Sequence, residues 1–121
     1  MATCGVWPSG SGLVAVVADD DGKGCSRLVI DGDRDSCGLL QRLDETEGLD
    51  WQLVLPEHHR ANSLASLAVD HGARVWIAPR RLIDPIRIVA GLNTGPPRRS
   101  ALLLARIPLS ALRVFLRAHR H

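Results

Sequence analysis

Two short apolar runs, each ended by proline and separated by one segment of helical period, constrain this chain more than any other feature. Trp51-Gln52-Leu53-Val54-Leu55 runs into Pro56, and Arg74-Val75-Trp76-Ile77-Ala78 runs into Pro79. Both have the length and composition of buried strands. Between them, residues 60–71 place Leu64, Leu67 and Ala68 at helical spacing and stop at Gly72, which predicts a helix with a glycine end. Strand, helix and strand joined by such short connections build a parallel pair with a right-handed crossover.

The preceding segment reads differently. Leu13-Val14-Ala15-Val16-Val17-Ala18 is a strand, Asp19-Asp20-Asp21-Gly22 has turn chemistry, and residues 25–30 return as a second strand, which makes an antiparallel hairpin. Residues 3–7 form one more strand, broken at Pro8. Leu39, Leu40 and Leu43 mark one face of a helix that closes near Gly48. The order is then β-β-β-α-β-α-β, an α/β chain with a mixed five-stranded sheet, three antiparallel strands and then parallel ones, flanked by helices. After Pro79 the pattern loosens. Residues 80–92 are helical but limited by Pro85, 93–97 are a turn, and 100–107 are a helix broken by Pro108. Residues 109–121 read as a basic amphipathic C-terminal helix capped by Ser110, with Leu109, Leu112, Phe115 and Leu116 on one face and Arg113, Arg117 and Arg120 on another.

At 121 residues with 45% hydrophobic and 23% charged side chains, the chain suits one folded domain and is too rich in apolar residues for a disordered one. No apolar stretch approaches the ~20 residues of a spanning helix, so no membrane partner is expected. Cys4, Cys25 and Cys37 are odd in number and match neither a disulfide framework nor a zinc knuckle. Reduced thiols and the lack of a secretory pattern at the first residues predict a cytoplasmic protein. Charge is unevenly spread: residues 1–72 carry a net of −7 and residues 73–121 a net of +9. An arginine-rich half attracts nucleic acid, an acidic protein surface, or the acidic half of a second copy in a homo-oligomer. Arg80, Arg81, Arg98, Arg99, Arg113, Arg117 and Arg120 are the candidate contacts; isolated solvated arginines are the plainer alternative.

Glu57-His58-His59 is the dense ionisable cluster at a strand end, where α/β proteins place chemistry. A carboxylate and histidines there suit proton transfer or a metal such as Mg²⁺, with Asp19 or Asp31 as further acids. A polar loop leading into the next helix is the competing reading. Ser9-Gly10-Ser11-Gly12 lacks the lysine of a phosphate loop, and no serine or cysteine stands in a nucleophilic context.

Three meandering strands before the first helix look like the RNase H-like fold. Gly5-Val6-Trp7-Pro8-Ser9-Gly10, then Leu13-Val14-Ala15-Val16-Val17, stand where one family has G-I-D-V-S-K and L-D-V-A-V. Leu53-Val54-Leu55-Pro56-Glu57 parallels its strand ending in a catalytic Glu. The run Ala78-Pro79-Arg80-Arg81 parallels N-P-R-R, and residues 95–106 parallel K-T-D-R-x-D-A-x-x-L-A-R. In these motifs the chain resembles the N-terminal domain of RNA-guided insertion-sequence transposases, which carry an Asp-Glu-Asp-Asp metal site. The resemblance extends to about Arg106 and implies an RNase H-like fold. Its two-ion chemistry needs several carboxylates, yet Trp7, Pro97 and Ser100 stand where three of the four acids would be. Only Glu57 matches. The resemblance therefore implies a scaffold without cofactor or catalysis, acting through its arginines; a metal-dependent nuclease using Glu57, His58 and His59, and a structural oligomerisation module, are the alternatives.

Overall fold

The computed structural model describes residues 2–9, 12–18, 26–33, 36–48, 51–58, 61–91 and 96–115. Strands β1 (Ala2–Ser9), β2 (Gly12–Ala18) and β3 (Ser26–Asp33) form an antiparallel meander. Helix α1 (Ser36–Glu47) leads to β4 (Trp51–Pro56), helix α2 (Asn62–Asp70) and β5 (Arg74–Ala78). Both β1–β4 and β4–β5 pair in parallel, so the expected α/β order, hairpin and crossover are all present. Gly48 and Gly72, at φ 69° and 95°, end α1 and α2 in the left-handed conformation that glycine adopts without strain. The hairpin turn expected at residues 19–22, and Cys25, lie outside the described residues.

Helices α3 (Arg80–Val89) and α4 (Pro97–Arg106) follow. The latter begins three residues before the position expected from the sequence, because Pro97 sits in the first turn, where its missing N–H is no loss. Strand β1 runs through Pro8 instead of breaking there. Its ladder to β4 ends at Gly5–Val54, so a residue without an N–H is tolerated while β2 still pairs with it.

The C-terminal amphipathic helix is corrected over its described part. Leu109–Ala111 is a single 3-10 turn and β6 (Arg113–Val114) is a strand antiparallel to β5. The sheet order is β3-β2-β1-β4-β5-β6, a short sixth strand added to the five expected. Leu112 packs on one face of the sheet and Phe115 on the other. Residues three apart point to opposite sides of an extended chain but to the same side of a helix, and the Phe115 N–H also reaches the Val75 carbonyl at 2.9 Å. Extended backbone thus satisfies both apolar side chains and the open edge of β5. Arg117 and Arg120 lie outside the described residues, so the row of three arginines is lost at Arg113.

Side-chain alternation divides the core in two. Cys4, Val6, Leu53, Leu55, Val75 and Ile77 face α1 and α2, packing on Leu39, Leu43, Leu64 and Ala68. Val54 and Ala78 face the other way, onto Ile83 of α3 and Leu104 of α4, while Val14 and Val16 meet Ala101. Helix α4 crosses β1 at Gly5. A Cβ there would stand 1.9 Å from the Ala101 carbonyl oxygen and 2.7 Å from the Ala105 nitrogen. On that face, buried Thr3 and Gln52 are linked by a 3.0 Å hydrogen bond from Gln52 Nε2 to Thr3 Oγ1. The Trp76 indole N–H donates to Gln52 Oε1, also at 3.0 Å. No helix among the described residues is long and apolar enough to cross a membrane.

Candidate functional site

The β1–β4 pairing stops at Gly5–Val54, and beyond it the chain leaves β1 toward β2 and leaves β4 toward β5. Open α/β sheets bind ligands at such divergence points, outside the carboxyl ends of the strands. A crevice of about 230 Å³ opens here. Trp7 and Pro8 line it from β1, and Pro56, Glu57 and His58 from the end of β4. Helix α3 closes it with Arg80, Ile83, Asp84 and Arg87.

The α3 residues are spaced i, i+3, i+4, i+7, one stripe of a helix. Ile83 anchors the stripe by burial against Val54, Ala78 and Leu104. Arg87 then reaches across the strand ends: its guanidinium carbon lies 4.2 Å from the centroid of the Trp7 ring, within range of a cation–π contact. Its Nε–H donates to Ser100 Oγ at 3.1 Å. Ser100 is fully buried in the first turn of α4, so Arg87 ties β1, α3 and α4 together.

Glu57 is exposed and held from two sides. Its Oε2 lies 3.5 Å from Arg113 Nη2, and its Oε1 accepts the Arg80 backbone N–H at 3.5 Å. The carboxylate sits at the N-terminus of α3, where a negative charge is favoured by the helix dipole. The β6 strand brings Arg113 to this point.

The structure thus brings Glu57, His58 and Arg80 together with Trp7, and adds Asp84 and Arg87, which the sequence reading did not single out. Their signal was available: Arg80, counted forward in helical steps, leads to Ile83, Asp84 and Arg87. Arg81, Arg98 and Arg99 are exposed in the first turns of α3 and α4. His59 and Asp19 lie outside the described residues, and Asp31 is placed by its backbone on β3 opposite Val14.

A second polar cluster lies at the opposite end of the strands. Asp44 of α1 accepts a 2.9 Å hydrogen bond from the Trp51 indole N–H and contacts His71 Nε2. The Trp51 and His71 rings stack at 6.0 Å with 29° between their planes. The Trp51 hydrogen bond, reinforced by His71, lowers the Asp44 pKa below its ordinary value. Compared with models of known protein families and with curated protein sequences, the chain matches none.

Proposed function

We propose that the chain is an RNase H-like domain without nuclease chemistry that acts by binding nucleic acid on its arginine-rich layer. One observation carries the reading: the Arg87 guanidinium lines the crevice at the strand ends, over Trp7 and bonded to Ser100. The resemblance puts the first and fourth metal-binding acids at those same two positions. The meander followed by parallel strands and crossover helices also supports the RNase H-like reading.

The divalent ions held by the family that the chain resembles do not fit these residues. Indole and proline rings offer a cation no oxygen, and Ser100 is neutral. A guanidinium stays protonated at any working pH, so Arg87 repels a second cation from the same space. Glu57 is already engaged by Arg113 and the Arg80 N–H. Binding by contrast needs only exposed positive charge. Arg80, Arg81, Arg98, Arg99 and Arg106 supply it on α3 and α4, on one side of the sheet, and phosphate contacts by such side chains supply most of the nonspecific affinity for nucleic acid.

Glu57 and Asp84 share the crevice with His58, which favours the nuclease as the second reading. Incubation with Mg²⁺ or Mn²⁺ and single-stranded, duplex or branched nucleic acid separates the two. Gel shift at low salt without cleavage is expected, with at least about tenfold weaker binding when Arg80, Arg81, Arg98 and Arg99 are replaced by Gln. Cleavage that disappears in Glu57→Gln would establish the nuclease. Absence of binding at low salt leaves an acidic protein surface as the partner.

A further inference from the structure

We infer that the chain associates with a second copy of itself head to tail, the outer face of α3 docking into the cleft between α1 and α2. Sequence alone raised self-association through opposite charge; the fold supplies two complementary surfaces at opposite ends of the strands. On α3, Ile88 is 63% exposed and Val89 is 90% exposed. Val89, with Pro85, Ile86 and Ala90, makes one apolar patch. Large aliphatic side chains grouped on a surface mark an interaction site more often than scattered ones do. At the other end of the sheet, a cleft of about 360 Å³ lies between α1 and α2. Leu40 and Leu67 form its apolar base, Leu67 being 39% exposed, and Gln41, Asp44, Asp70 and His71 line the rest. Such a cleft has room for a branched aliphatic side chain.

Charge complementarity selects the occupant. The layer with the cleft carries Asp44, Glu45, Glu47 and Asp70 against Arg42, a net of −3. Helices α3 and α4, beside the patch, carry Arg80, Arg81, Arg87, Arg98, Arg99 and Arg106 against Asp84, a net of +5. Two patches would repel each other, and so would two clefts, whereas patch on cleft attracts. The ends are set by contacts already described: Arg87 lies on Trp7 at one end of the strands, and Asp44 bonds Trp51 at the start of β4 at the other. A contact of this kind is heterologous, so each docked copy offers a fresh patch and a fresh cleft.

The proposal does not depend on nucleic-acid binding, and its test contains no nucleic acid in the first arm. Sedimentation of the full chain at low salt is expected to show mass rising toward and beyond twice 13.1 kDa. The rise should span roughly 10–500 µM, the scale of a small interface, and reverse in about 1 M salt, where screening is nearly complete. Val89→Asp and Leu67→Asp should each be monomeric alone. Mixed in equal amounts they should form a two-chain species and nothing larger, because one variant keeps its cleft and the other its patch. Gln41→Arg blocks the same cleft if Leu67→Asp does not fold. A wild-type chain monomeric throughout overturns the inference, as does assembly abolished by Val89→Asp but untouched by both cleft variants, which would indicate a patch-to-patch dimer. Assembly seen only after an oligonucleotide is added also overturns it and leaves the binding function standing.

Discussion

Asp44 receives its partners from two other elements, so a single carboxylate fastens α1 to β4 and to the end of α2. Its pKa is lowered because the Trp51 N–H and His71 both favour the charged form. A lowered native pKa means stability that is present above the ordinary value of 3.8 and lost as pH falls through the native one. Asn in its place keeps an acceptor for Trp51 and removes the charge. Melting of the wild type and Asp44→Asn from about pH 5 to about pH 2 should therefore show a gap in Tm that closes with acidification. A gap independent of pH would show that the charge contributes nothing. Arg87 poses the opposite problem, a positive charge in place of a negative one. Trp7 gives it a π face and Ser100 an oxygen acceptor, which explains how a guanidinium is kept at the strand ends.

Helix α4 owes its position to small residues. Ser100, Ala101 and Ala105 are buried on the side that meets β1, and Gly5 leaves the gap into which the Ala101 carbonyl fits. Gly5→Ala forces a Cβ onto two backbone atoms rather than onto a movable side chain. It should cost about 3 kcal/mol, the upper part of the usual range for overpacking, read as a lower urea midpoint. An unchanged midpoint would show that α4 does not cross there. Such a crossing has no signature in Gly5 alone, and the elements that local sequence did reveal are those with local punctuation. Helices α1 and α2 end at glycines with positive φ, and β4 and β5 end at or beside proline. The last segment misled because Leu112 and Phe115 share a helical stripe but find their partners on opposite faces of the sheet. Glu57, His58 and Arg80 were legible as a cluster at a strand end. Helical steps from Arg80 point to Arg87, but its contacts with Trp7 and Ser100, like those of Asp44 with Trp51 and His71, are made across elements and leave no local pattern.

Across the whole molecule, the sheet turns a lengthwise division of charge into two opposed layers, α1 and α2 on one side and α3 and α4 on the other. If the basic layer grips duplex nucleic acid, log affinity should fall against log salt with a slope of about −0.9 for each phosphate contacted. Replacing Arg98 and Arg99 with Gln should lessen that slope by up to two contacts, and an unaltered slope would place the contacts elsewhere. The same architecture governs how the chain folds. Strand β1, first of these elements in sequence, pairs with β4 only after the meander and α1 intervene, and is covered by α4 only after almost everything else. Long loops must close before those contacts return any free energy, and such topologies fold slowly. During synthesis the Val14 and Val16 face waits on the ribosome for Ala101, a sticky, unpaired surface for as long as the remainder is being made. The segment that completes the fold is thus also the one that ends its exposure to aggregation.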